Sequence, residues 1–586
     1  SSDHTADTGS AVSRSGWGLE RREDRTAEGS TEPTRNARWM MAHRPDLAKP
    51  DQAERLTDGK ELPLAAGEQK GQQQPLSTSI WEFNPSEYVS HWRGRAPYSL
   101  LAEAFSTLEG TTARTVSVAT LTNAFRCLII ADRASLVPAL YLCIDKIAPS
   151  YSADVAPIAV GHSILSKAIM EATGVQKSAL REKSIAFGDL GDAAVAVKAS
   201  QRTLSFGRAA SKPLLIDGGD GQLGLFTSLQ NISREHGSGA QERKRAIIAQ
   251  LLVAAKGVET KYVVRTLEGQ LRVGSAKKTI LKALASAFAL TLTTAQPLAS
   301  NIQERKRLEA AMAAANTATQ DCFAQHPNLA DLCNAFWQIK EANGSNGANG
   351  SNVAASATAC GPDVLDDVRC WGRLKLLCPL SAGVPVESML GQITRNFDAM
   401  SARAVAGERF SCEWKYDGQR GQIHRMASGE VRIFSRHSQD TTQKMEEIAA
   451  LFRDDTCSED RLSRFPKSFV LDCEIVAVQI PEDEHAPLRL LPMQMMSTGG
   501  AASSNGAGRS LLPNIASQSN QRLCVFAFDL LVCEGDVLVD KPLIERRARL
   551  RRDFGPERGR FAFVDCEDID AQSAVSDPER ATGALQ

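Results

Sequence analysis

A chain of 586 residues has room for about three to four domains with sizeable cores. Its net charge of −1 excludes a polycation, so any nucleic-acid binding must come from local patches. Thirteen scattered cysteines, with no C-x-x-C and no Cys/His cluster at zinc spacing, read as reduced intracellular thiols, and no apolar run approaches the roughly 18 residues of a membrane span.

The chain starts at Ser1 without a methionine, and its first residues mix Asp, Glu and Arg, which argues against a secretory signal or a transit peptide. Residues 1–78 are rich in Ser, Thr, Gly, Gln and charge with isolated apolar residues, and are expected to form a disordered tail. Gln73-Gln74-Pro75-Leu76 to Trp81 faintly suggests a sliding-clamp peptide, against which stand its spacing and its lack of paired aromatics.

From Ile80 the apolar spacing turns helical, and residues 79–340 read as an all-α domain. Leu121, Ala124-Phe125 and Leu128-Ile129 share one face, and Leu136 to Ile147 carries Pro138 in its first turn. Gly161 to Thr173 is closed by Gly174, and Gly188-Asp189-Leu190-Gly191 reads as a tight turn. Beyond Glu242-Arg243-Lys244-Arg245, a helix buries Ile247, Ile248, Leu251 and Leu252.

Leu267 to Lys278 then opens another helix. Gly269 and Gly274 allow backbone amides near a phosphate, the helix N-terminus adds its dipole, and Arg272, Lys277 and Lys278 add charge. Two readings stay open there: a phosphate-binding turn, or an ordinary helix–turn–helix with solvated lysines.

Residues 341–365, rich in Asn, Gly, Ser and Ala, read as a flexible linker or insertion, and 366–586 as the start of a catalytic domain. Beyond Phe410 the period becomes two, with strand–turn–strand around Ser428-Gly429. In Glu413-Trp414-Lys415-Tyr416-Asp417-Gly418-Gln419-Arg420, a lysine precedes a short acid and a glycine. That is a sensible place for a nucleophile once the amine has lost its proton, and equally a place for an exposed lysine paired with an aspartate. Arg436 follows a second strand, and Phe469 to Ala477 alternates as a buried strand carrying Asp472 and Glu474. An ionised Glu474 there calls for a salt bridge or a cation. Cys524 to Leu531 is a further strand with Phe526 and Phe528, and Glu545 to Leu550 reads as a structural helix with its arginines solvated or facing DNA.

Lys-Tyr-Asp-Gly-Gln-Arg with Glu413 two residues ahead of Lys415 closely resembles the first nucleotidyltransferase motif of eukaryotic ATP-dependent DNA ligases, the DNA ligase I type. Phe83-Asn84-Pro85 through Leu292 resembles the helical DNA-binding domain of that family, matching at Leu140-Tyr141-Leu142, Phe187 to Gly191 and Leu271-Arg272-Val273-Gly274. The resemblance implies an all-α DNA-binding domain followed by an α+β nucleotidyltransferase domain of ATP-grasp-like adenylation type, in a multidomain chain. It implies ATP and Mg²⁺ as cofactors, nicked duplex DNA as partner, and a nuclear, monomeric enzyme of replication and repair. Lys415 would become adenylylated, Glu413 would read the adenine amino group, Arg420 and Arg436 the sugar and phosphates, Phe528 the base face, and Glu474 the ribose or the metal.

Two departures stand out. Gly499 to Gly506 belongs to an insertion that replaces a basic DNA-contacting loop of relatives, and the chain stops at Gln586 before any counterpart of the family's later lysine motifs or its oligonucleotide-binding-fold domain. The expectation is therefore little or no nick sealing by this span. A catalytically incomplete DNA-binding scaffold and an RNA ligase or mRNA-capping guanylyltransferase, which share K-x-D-G, are the competing readings.

Overall fold

The computed structural model describes residues 74–152, 158, 160–200, 212–219, 221–274, 276–291, 302–344, 368–389, 391–393, 409–453, 464–494 and 520–570. Nearly all of the expected tail, most of the expected linker, the Gly499 to Gly506 insertion and the last residues to Gln586 lie outside them. The chain divides into two compact units, one of residues 74–480 with 490–586 and one of 1–73 with 481–489. Of the second, only 481–489 is described; there Asp483 accepts the Ala486 amide through its carbonyl (3.2 Å) and the His485 amide through its carboxylate (2.9 Å).

The larger unit begins with helices α1 (Pro85–Val89), α2 (Ser99–Glu109), α3 (Arg114–Ala131), α4 (Leu136–Cys143), α5 (His162–Thr173), α6 (Lys177–Phe187) and α7 (Leu190–Ala199). It continues with α8 (Leu225–Arg234), α9 (Ala240–Ala254), α10 (Val258–Leu267), α11 (Lys277–Thr291), α12 (Ile302–Gln325), α13 (Leu329–Gly344) and α14 (Val368–Leu377). Their ends follow local chemistry. Asn84 Oδ1 accepts the amides of Ser86 and Glu87 with Pro85 in the first turn, as an N-cap should. Gly174 and Gly188 end α5 and α6 in the left-handed conformation, and Asp189 caps α7 by accepting the Asp192 amide at 2.9 Å.

α3 and α11 form the centre of this half, buried from Thr120 to Ile129 and, apart from exposed Lys282, from Thr279 to Leu290. Phe288 stacks on Phe336 of α13 with ring centroids 4.4 Å apart. Burying such a ring contributes roughly 2–3 kcal/mol.

The boundaries differ from the sequence reading at both ends of this half. Leu76 is fully buried, and Asn123 Nδ2 donates to the carbonyls of Leu76 (2.9 Å) and Thr78 (2.8 Å), so the helical domain begins before residue 79. Glu341–Gly344 complete α13, and Trp371, Leu374 and Cys378 join the helical core, which therefore extends past residue 366. Low-complexity composition starts inside a helix whose packing overrides it.

The second half is a mainly antiparallel sheet. Its strands are β2 (Gln419–Arg425), β3 (Val431–Ser435), β4 (Phe469–Gln479), β5 (Gln521–Cys533) and β6 (Asp536–Val537), in the order β3–β2–β4–β5–β6, with β7 (Phe561–Phe563) parallel beside β5. β1 (Arg409–Glu413) pairs separately with β8 (Cys566–Asp570), and helix α15 (Leu543–Asp553) packs on β5. The period of two gives the sheet two faces. Cys473, Ile475 and Ala477 with Leu523, Val525 and Ala527 build one core. Val476 and Val478 with Cys524 and Phe526 face the other way. Part of that second face is covered by the segment after Leu380: Gln422 exchanges two hydrogen bonds with the Val386 backbone, at 2.9 and 2.8 Å.

Candidate active site

The uncovered part of the second face carries the chemistry. In the ladders Arg420 lies opposite Glu474, and Glu474 opposite Phe526, so an arginine, a glutamate and an aromatic ring form one row across β2, β4 and β5. Lys415 stands in the turn between β1 and β2, exposed. On one side of it the Trp414 amide donates to the Asp565 carbonyl at 3.2 Å; on the other, buried Tyr416 stacks on Phe526 at 4.3 Å. The lysine is thus an exposed residue between two anchored ones.

Gly418 explains why the turn can come so close to β4. A Cβ there would sit 2.4 Å from the Ile475 carbonyl oxygen and 2.8 Å from a Val476 methyl. Burial pushes the Glu474 carboxyl up, while the charges of Arg420 and Lys415 and the Gly418 amide pull it back towards the ionised form. Asp417 turns outward and accepts the Met493 amide at 3.4 Å.

Arg420 donates to Asp472 through Nε (3.1 Å) and Nη2 (2.6 Å), and its guanidinium carbon lies 5.3 Å from the centre of the half-buried Phe528 ring. Burial pushes the Asp472 carboxyl up, opposed by Arg420. Glu413, at the end of β1, pairs with Arg547 of α15. Lys415, Arg420, Glu474 and Phe528 therefore converge on one end of the sheet, while Glu413 stands on the separate β1–β8 pair against α15.

Arg436 sits one strand further out. It follows Ser435, the last residue of β3 paired with β2, and lines a cleft of about 470 Å³ with Lys146, Tyr151, Lys277, Glu387 and His437. Lys277, the first residue of α11, forms an ion pair with Glu387. Lys278 is exposed beside it. Gly269 (φ 69°), Arg272 (φ 55°) and Gly274 (φ 64°) all take the left-handed conformation, and Arg272 donates to Asp189 at 3.3 Å. The phosphate-binding candidates thus form one turn that opens beside the interdomain cleft.

Arg546, Arg547 and Arg549 of α15 are neither fully solvated nor free for DNA as the sequence suggested, whereas Arg551 and Arg552 are exposed. Arg546 donates to both oxygens of Asp529, at 2.7 Å each, and Arg549 pairs with Asp553 and Asp536. Arg547 is buried against Glu413 and Ser411. Sequence reasoning saw the helix charges but not the acids that neighbouring strands bring to them.

An exposed amine, a half-buried carboxylate near two cations, an aromatic face and further guanidinium groups can together hold a flat base and a polyanion. Among the described residues no group of three or more His, Cys, Asp or Glu is placed to hold a metal ion. Glu474 alone still suits Mg²⁺, which takes one or two carboxylates and completes its shell with phosphate oxygens and water. Among the described residues no helix is long and apolar enough to cross a membrane.

Comparison with known proteins agrees with this layout. The family model described as DNA ligase N terminus matches residues 97–285, and that described as ATP dependent DNA ligase domain matches 388–578. DNA ligase 1 of Dictyostelium discoideum is 31% identical over 499 residues, 84% of this chain and 36% of that protein. DNA ligase 3 of Schizosaccharomyces pombe is 29% identical over 84% of this chain and 56% of its own length, and DNA ligase 1 of Saccharomyces cerevisiae 27% over the same shares. The chain thus spans between about a third and a little over half of these relatives. With both domain models matched in order on a helical half followed by an α+β half that carries the lysine turn, the chain belongs to the ATP-dependent DNA ligases.

Proposed function

We propose that this chain serves nick sealing in duplex DNA, for replication and repair, through an adenylylated Lys415. The observation that carries the reading is the convergence of Lys415, Glu474, Arg420 and Phe528 at one end of the sheet, in a chain of this family. Once its proton is lost, Lys415 Nζ attacks the α-phosphorus of ATP; a P–N bond forms and the P–O bond to pyrophosphate breaks. Phe528 offers a face to the base and Glu413 a carboxylate to its amino group. Arg420 and Arg436 offer cations to sugar and phosphate, and Glu474 an oxygen to the ribose or the metal. Mg²⁺, when bound, offsets charge on the phosphates.

The adenylyl group then passes to the 5′-phosphate of the nick, and attack by the 3′-hydroxyl releases AMP. Most of the work is positioning and electrostatics. Gly269 to Gly274, Lys277 and Lys278, with the cations of the interdomain cleft, would hold the duplex by its phosphates rather than its base edges.

The test is incubation of the chain with α-labelled ATP and Mg²⁺. Label bound through an acid-labile phosphoramide, and lost in Lys415→Ala, supports the reading. A chain that binds nicked duplex and takes no label is the scaffold instead. Label taken from GTP in preference to ATP makes it a capping-type enzyme.

A further inference from the structure

The helix α15 places two consecutive arginines on two different strands. Neighbouring residues on a helix point about 100° apart, so one helix can address two elements. Arg546 grips Asp529 of β5 through both carboxylate oxygens at 2.7 Å, immediately after Phe528. Arg547 turns to β1 and β8: it donates to Ser411 Oγ at 2.6 Å, pairs with Glu413, and lies 3.6 Å from Asp568. α15 is therefore a strut between the strand that carries Phe528 and the strand end that carries Glu413.

The burial pattern shows which way this strut acts. The Arg547 side chain is only 8% exposed, whereas those of Glu413 and Asp568 are 35% and 54% exposed. A guanidinium is always charged, and burying it requires acceptors fixed in place. The carboxylate of Glu413 remains partly open to solvent while it is held from behind. Held in this way, it is an oriented acceptor rather than a freely rotating one, and the cost of ordering it does not fall on ligand binding.

We infer that Arg547 is a positioning residue that aims the Glu413 carboxylate at the exocyclic amine of the bound base and so sets a preference for adenine over guanine nucleotides. The inference rests on the nucleotide site proposed above. Adenine presents an amino group at position 6, where guanine presents a carbonyl. A fixed carboxylate accepts from the first and repels the second, and a site built around one hydrogen bond discriminates strongly against an analogue that cannot make it. A carboxylate free to rotate away would lose the repulsion as well as the bond.

The experiment measures equilibrium binding of ATP and of GTP to the whole chain, and to Arg547→Met, Arg547→Lys, Glu413→Gln and the Arg547→Met/Glu413→Gln double variant, with urea midpoints recorded in parallel. The expected result is a wild-type preference for ATP that falls about tenfold in Arg547→Met, recovers in part in Arg547→Lys, and is not reduced further by Arg547→Met once Glu413 is Gln. A merely structural strap would weaken both nucleotides equally and leave their ratio unchanged. A wild-type ratio retained in Arg547→Met overturns the inference and leaves the nucleotide site standing. Should Arg547→Met fail to fold, an Arg547→Lys ratio equal to wild type, with Glu413→Gln likewise unchanged, overturns it. Equal binding of both nucleotides by the wild-type chain overturns the inference, and absent binding of both overturns the nucleotide site itself.

Discussion

Arg420 lies directly opposite Glu474 in the β2–β4 ladder, yet its guanidinium reaches diagonally to Asp472, at 3.1 and 2.6 Å. The diagonal choice leaves Glu474 with the Gly418 amide and the nearby charges of Arg420 and Lys415. Asp472 is only 7% exposed and Arg420 27%, so the pair is half-sunk in the sheet. Removing one partner strands the other. Asp472→Ala is expected to cost roughly 3 kcal/mol in urea unfolding, with the Arg420→Ala/Asp472→Ala double variant costing less than the sum of the single ones. Additive losses would show that the two groups do not act as a pair.

Gly418→Ala tests the closeness of the lysine turn. The added methyl carbon would meet a backbone carbonyl, that of Ile475, at 2.4 Å, and a rigid strand cannot yield as a side chain would. The turn must lift away from β4, carrying the Gly418 amide away from the Glu474 carboxylate that it helps to keep ionised. We expect a loss of about 2–3 kcal/mol in stability and a loss of nucleotide binding greater than that stability change accounts for. Binding of ATP by the variant at wild-type strength would show that the turn tolerates the displacement.

His424 supplies a pH dependence. Its ring is fully buried; Nδ1 accepts the Gly383 amide at 3.1 Å, which requires the proton on Nε2, and Nε2 faces Gln422 Oε1 at 3.4 Å. The Phe434 ring edge packs against it, and Arg432 lies opposite on β3. Burial first, and the Arg432 charge second, push its pKa down to about 3. The unfolded chain binds a proton at about 6.5 and the folded chain does not, so stability falls as pH falls through 6.5 and keeps falling towards 3. From pH 7 to 5 the wild type should lose about 2 kcal/mol more than His424→Gln. Parallel losses in the two proteins would place the acid sensitivity elsewhere.

The lysine turn was legible because its chemistry is local. Lys415, Gly418 and Arg420 lie within six residues, and the period of two fixed which residues of β4 share a face. Asp472 and Glu474 were visible as two acids on one strand, but which of them Arg420 would take depends on register and on diagonal reach, which no single segment encodes. The α15 arginines were misread for a related reason: their partners Asp529 and Glu413 come from strands distant in sequence. The helical boundary at Gly344 was blurred because its composition already resembles a linker, and only the packing of this helix against α4, α11, α12 and α14 decides the matter.

The turn that opens α11 sets two unequal lysines side by side. Both are exposed, but Lys277 is held in an ion pair by Glu387, whereas no such pair forms at Lys278 among the described residues. A phosphate must compete with Glu387 for Lys277, so the net gain from that lysine is smaller than its charge suggests. Lys278→Ala should therefore weaken binding to nicked duplex more than Lys277→Ala, each uniformly across sequences, with the salt slope falling by about one for each phosphate no longer neutralised. Glu387→Gln should act in the opposite direction, strengthening binding severalfold at low salt, because it frees one cation and removes one anion from the cleft. Filter binding or anisotropy over a range of salt concentrations measures all three. If Glu387→Gln weakens binding, the ion pair positions α11 for DNA rather than competing with it.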